Sequence, residues 1–275
     1  MAMPFRSHIG RGFDFGSTPN LALIVLVLLS GAAAVVLWMA GHPAESILFA
    51  PGHAFVNWAL LREIDPDHPW TALLAAAGTG VWVLAGGPYM SLLALGAVML
   101  AARIVSETTG RRPLPTDLIV VLLGTLIGFT VAGWVGAFGL AVALYLDDRF
   151  APQSRLIQIV ASAVTALGAT VVATLTDAFP TTTFEIVPHI VITSGVLALA
   201  LVVRNPADPI TRVDARHKAF LSPERLHASR SLVAILIFAM SVLLGAEANG
   251  LIPVLAALVL AVVSNEIELV RRRGL

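Results

Sequence analysis

The chain contains no cysteine and one lysine, Lys218. The missing cysteines remove disulfides, thiolate metal sites, iron–sulfur clusters and cysteine nucleophiles together. Lys218 sits among arginines in a polar stretch, so no apolar helix can supply a Schiff-base lysine. Charge is also scarce, at 12% of residues, where soluble domains carry about 25%. No basic tract with interleaved aromatics occurs, so nucleic acid is not an expected partner. Walker A, HExxH and GxSxG patterns are absent, as are the spaced aspartates of aromatic prenyltransferases and CDP-alcohol phosphotransferases.

Apolar residues fill the chain instead. They make up 57% of 275 residues, and the mean hydropathy is +0.88. A soluble domain of this length needs a charged exterior that this composition cannot supply. The lipid bilayer is therefore the expected solvent, and the fold class is an all-α, polytopic integral membrane bundle. Ten apolar stretches read as short transmembrane helices in sequential hairpins: 21–41, 44–61, 69–86, 88–103, 117–132, 134–147, 155–176, 186–203, 230–246 and 250–267. Many are near 17 residues, about 26 Å of helix against a hydrocarbon core of about 30 Å. A rival reading has eight spans. It leaves 44–61 on the surface or re-entrant, because that stretch holds Pro51, Gly52, His53 and Asn57, and it joins 118–146 into one tilted helix.

Charge placement favours ten. With ten spans, all seventeen Lys and Arg fall on one face, in the leader, the turns after Leu61, Ala102 and Asp148, the 204–230 stretch and the C-terminus. Of the acids, only Glu45, Asp177, Glu185 and Glu247 fall on the other face. Cationic loops stay cytoplasmic, which puts both termini inside a plasma (inner) membrane. Eight spans would export Arg62, Arg103, Arg111 and Arg112. A cysteine at Thr109 separates the two readings: an impermeant thiol reagent reaches it from outside with eight spans, and leaves it unlabelled with ten.

The organisation that follows is a cytoplasmic or interfacial leader over 1–20 and a single transmembrane domain over 21–275, with a cytoplasmic loop at 204–229 and a basic tail at 268–275. The apolar run Leu21 to Ala40 exceeds a usual signal h-region, so it reads as an uncleaved first helix. Asp67-His68-Pro69 and Pro115-Thr116-Asp117 offer caps for the third and fifth spans. Ser222-Pro223-Glu224 predicts a helix from Pro223 into the ninth span. A shift of forty-six residues aligns Gly78-Thr79 with Gly124-Thr125, Gly87 with Gly133 and Arg103 with Arg149, the pattern of a duplicated hairpin or of shared small-residue composition. Gly124 and Gly128 form a GxxxG pair suited to close helix packing.

Four groups of residues can carry chemistry. Asp65 and Asp67, beside His68 at an inner helix end, are spaced to hold Mg²⁺ and through it a diphosphate. Asp147 and Asp148 at another inner end can add carboxylates. Turn and cap chemistry explains the same residues without a ligand. His53 and Asn57, four apart, share a helix face and suit a solute pathway, or hydrogen bonds to neighbouring helices. Glu247 and Asn249 in one outer turn, with Asp177, Glu185 and His189 in another, read as an acidic vestibule for a cation or as solvated turns.

These features favour a small-solute or lipid-precursor transporter, with His53, Asn57, His189 and Glu247 on its pathway. A membrane-embedded enzyme acting on a phosphorylated lipid or isoprenoid would instead use Asp65, Asp67, Asp147 and Asp148 with Mg²⁺; no other cofactor is indicated. A non-catalytic subunit or assembly factor, docked on membrane-protein partners through its hairpin ends and the 204–229 loop, is the third expectation.

Overall fold

Small residues set how this chain packs. In the computed structural model, which describes residues 15–42, 44–108, 113–123, 131–151, 154–176, 187–203 and 221–272, ten α-helices and no strands occur among the described residues. They are α1 (Thr18–Met39), α2 (Ala44–Ile64), α3 (Pro69–Leu84), α4 (Leu92–Ser106), α5 (Pro115–Leu123), α6 (Val131–Phe150), α7 (Leu156–Leu175), α8 (Pro188–Val203), α9 (Pro223–Leu243) and α10 (Ile252–Arg272). A 3-10 segment, Gly245–Leu251, links the last two. Each of the ten apolar stretches corresponds to one helix, with ends shifted by up to nine residues. Among the described residues, four segments are long and apolar enough to cross a membrane: Thr18–Met39, Leu156–Leu175, Pro223–Leu243 and Gly245–Glu268.

The surface reading of 44–61 is corrected. Here α2 is one helix with Pro51 inside it, and it packs against α1, α3, α4, α9 and α10. Its Ala50, Ala54, Leu60, Leu61 and Ile64 are fully buried, so it is a central element. The hairpin arrangement is corrected in part. Helices α1/α2, α2/α3, α6/α7 and α8/α9 do pack as consecutive pairs. In contrast, α4 leans on α2, α6 and α9, while α3 packs on α2, α1 and α10. The join proposed for 118–146, the GxxxG pair and the Gly124-Thr125 half of the repeat involve residues 124–130, outside the described residues.

Alanine and glycine permit the tightest crossing. Ala94, Ala97 and Ala101 of α4 are buried. A Cβ at Gly136 of α6 would lie 3.0 Å from Ala97 Cβ and 3.2 Å from the Ala94 carbonyl oxygen. In lipid, where apolar burial gives no separate drive to helix pairing, close contact of this kind holds helices together. Larger side chains such as Leu28, Leu74, Leu167 and Leu199 point outward, as a lipid-facing surface requires.

Helix ends follow local chemistry. Gly41 and Gly86 have φ +89° and +78° and close α1 and α3 with paired backbone bonds, Gly86 to Val83 and Gly87 to Trp82 in the second case. The Ser222 hydroxyl accepts from the Arg225 amide, and α9 runs unbroken from Pro223. Asp117 acts from inside α5, its carboxylate accepting the Leu114 N–H at 2.8 Å. His68 stands at the α3 cap position without capping through its side chain. Two boundaries move: 223–229 belongs to α9 rather than to a loop, and α10 takes the tail as far as Arg272.

Candidate functional site

Ion pairs gather at one end of the bundle. Glu63, fully buried at the end of α2, accepts from Arg103 of α4 at 2.7 Å and from the Thr108 hydroxyl. Arg225, in the first turn of α9, donates to Asp147 of α6 at 2.8 Å and to the Val105 carbonyl at 3.2 Å, and lies 3.4 Å from Glu107. Its guanidinium also covers the Phe150 ring. Arg230, one and a half turns on, donates to the Ile64 carbonyl at 2.6 Å and stands 3.9 Å from Asp65. Its second arm reaches Asn265 of α10 at 3.4 Å. Helices α2, α4, α6, α9 and α10 are thus tied together where the sequence put its arginines.

The candidate metal carboxylates are part of this seam. Asp65 Oδ1 meets the His68 ring at 2.8 Å. That bond raises the His68 pKa above its usual value, partly offset by burial and helped by the charges of Asp65, Asp67 and Glu268. Asp147 also accepts from Gln158 at 2.7 Å. Asp148 caps α7, accepting from the Ser154 hydroxyl and the Arg155 N–H. Asp65 and Asp147 are held by different arginines of α9, and no group of three His, Asp or Glu able to hold a metal occurs among the described residues.

A cavity of about 610 Å³ lies at the opposite end. Its walls include Trp82 from the last turn of α3, Tyr89 from the α3–α4 connection, Ser91, and Glu247, Asn249 and Gly250 from the 3-10 segment. The Trp82 indole is fixed by a bond to the Pro88 carbonyl. Gly250 lets the segment close onto this connection, since a Cβ there would come within 2.8 Å of the Tyr89 carbonyl carbon.

Behind Tyr89 the two span residues appear. The His53 ring sits 5.1 Å from the Tyr89 ring. Asn57, one turn further along α2, donates to the Thr79 hydroxyl at 2.9 Å. Both are buried, at 2% and 1% exposure. His53 Nε2 and Asn57 Oδ1 nonetheless have no hydrogen-bond partner among the described residues. A polar atom held away from water without a partner is costly and calls for an explanation.

The structure therefore brings His53, Asn57 and Glu247 to one side of the molecule. His189 is exposed in the first turn of α8 and is not among the described residues that line the cavity. Asp177 and Glu185 lie outside the described residues. Sequence reasoning missed Arg225 and Arg230, which it assigned to a cytoplasmic loop and its border, and missed Tyr89 and Trp82. The legible cap at Ser222 was the available clue to Arg225, because it places that arginine inside a helix. Comparison with protein-family models, curated proteins and solved structures returns no match for this chain, and the site stands on its own geometry.

Proposed function

We propose that the ten helices cross the inner membrane ten times, with both termini cytoplasmic, and that the chain transports a small solute along α2. The observation that carries this reading is the pair of buried, unpartnered polar atoms, His53 Nε2 and Asn57 Oδ1, set behind the wall of an open cavity. Polar groups at membrane depth are rare, and they mark pathways or ligand contacts more often than packing. A passing solute with its own donors and acceptors satisfies both atoms.

The two ends fit this use. The arginine end suits the cytoplasmic face, so the cavity faces outward. Inside, Arg225 and Arg230 tie α9 to α2, α4, α6 and α10, closing the pathway there. Opening toward the cytoplasm would require these bonds to be exchanged as α9 moves. The enzyme reading finds less support, since Asp147 and Asp148 are engaged by protein groups and Asp65 is bonded through Oδ1 to His68, leaving Oδ2 alone unpartnered among the described residues.

Flux tests the proposal. Proteoliposomes containing the purified chain must move a small organic cation, neutral polar solute or anion faster than protein-free vesicles. Identical rates for all three classes would overturn it.

A further inference from the structure

We infer that the cavity beside Tyr89 and Glu247 binds a small organic monocation, an ammonium group on an apolar or aromatic body. The inference deepens the transport reading and rests on it for the direction in which the cavity opens.

Charge gives the sign. Among the described lining residues Glu247 is the one ionisable acid, and no Arg, Lys or His joins it. Its carboxylate is exposed and has no side-chain partner among the described residues, so it is free to meet a ligand. An anion would face this charge with no compensating cation. Aromatic walls give the body of the ligand. The faces of Trp82 and Tyr89 attract a desolvated ammonium and accept apolar groups equally well. Size suits an organic ion: about 610 Å³ is the scale of a small-molecule pocket, and the lining offers fewer side-chain oxygens than the roughly six oxygen ligands that a divalent ion takes.

The deeper groups agree. Asn57 Oδ1 is an acceptor without a donor, and His53 Nε2 accepts in one of its two neutral tautomers. An ammonium N–H supplies what the first lacks. The cavity and the buried pair thus read as successive contacts for one ligand, with Tyr89 between them.

Binding to the chain in lipid nanodiscs tests this, using calorimetry with benzylammonium, benzyl alcohol and benzoate. These probes share a ring and differ in charge. The cation should bind, more weakly as salt rises, and the other two should not. Glu247→Gln should weaken the cation by about fivefold or more. Ser91→Asp should tighten it severalfold: Ser91 caps α4 through its side chain, Asp caps as well, and the change adds a second carboxylate to the lining. Equal binding of benzyl alcohol or benzoate, an unchanged affinity in Glu247→Gln, or a cavity filled by a lipid or detergent chain that excludes all three probes would overturn the inference. Binding of the cation without flux in proteoliposomes would support the site and overturn transport. Flux of another solute class without cation binding would do the reverse.

Discussion

His53→Phe is expected to abolish solute movement while leaving the protein as stable as the parent or more so. The phenyl ring can occupy the imidazole's place and keep the aromatic contact with Tyr89 at 5.1 Å between ring centroids. It removes Nε2, a buried atom with no partner. Eliminating an unsatisfied buried polar group recovers about 1–3 kcal/mol, less whatever strain the slightly larger ring introduces. A residue retained only for packing would show the opposite sign. Uptake into proteoliposomes should fall by at least about tenfold, since losing one good hydrogen bond to a passing solute costs about 1.4 kcal/mol or more. Thermal unfolding in the same detergent supplies the stability comparison. A clear drop in melting temperature with unchanged uptake would make His53 a structural residue.

Arg225→Met is expected to be among the most damaging single changes outside the pathway. Arg225 is 7% exposed, and its partner Asp147 is 0% exposed. Methionine matches much of the volume but takes the guanidinium from the buried Asp147 carboxylate, which keeps its bond from Gln158, and frees the Val105 carbonyl. Breaking a buried pair from one side costs about 3–5 kcal/mol, chiefly because the remaining charge stays buried. For a chain of this size that corresponds to a fall on the order of 10 °C in melting temperature. Adding Asp147→Asn should restore part of the loss, because a neutral amide still bonds Gln158 and carries no charge to strand. Such non-additivity identifies the pair as the coupled unit. A fall under about 1 kcal/mol, with no rescue, would mean that water reaches the seam and that it closes nothing.

The one-dimensional organisation was legible because each helix writes its own signal. Apolar runs marked ten helices, Ser222-Pro223-Glu224 marked the start of α9, and the arginines marked one common end. Neighbour relations were not legible. Asp147-Asp148-Arg149 invites local pairing, yet successive helical residues point about 100° apart. Asp147 is held by Arg225, 78 residues away, and Asp148 turns to cap α7. Likewise, α3 and α4 follow one another in sequence but sit in different parts of the bundle, with α2 against both. At the site, His53 and Asn57 stood out because a polar pair on an apolar helix breaks the pattern around it. Tyr89 and Trp82 did not, since an aromatic residue near a turn interrupts nothing. Their convergence with Glu247 depends on the close approach at Gly250, which exists only in three dimensions.

Water access to Asn57 is the most direct measure of the pathway, and the lack of native cysteine makes it clean. Single cysteines at Asn57, at Glu247 in the cavity lining and at lipid-facing Leu74 would be exposed, from the cavity side, to an impermeant trimethylammonium methanethiosulfonate. The account predicts fast modification at 247, slower but complete modification at 57 that benzylammonium retards, and none at 74. Modification at 247 alone, with 57 as inert as 74, would mean that the buried pair is sealed inside the bundle and that no pathway runs along α2.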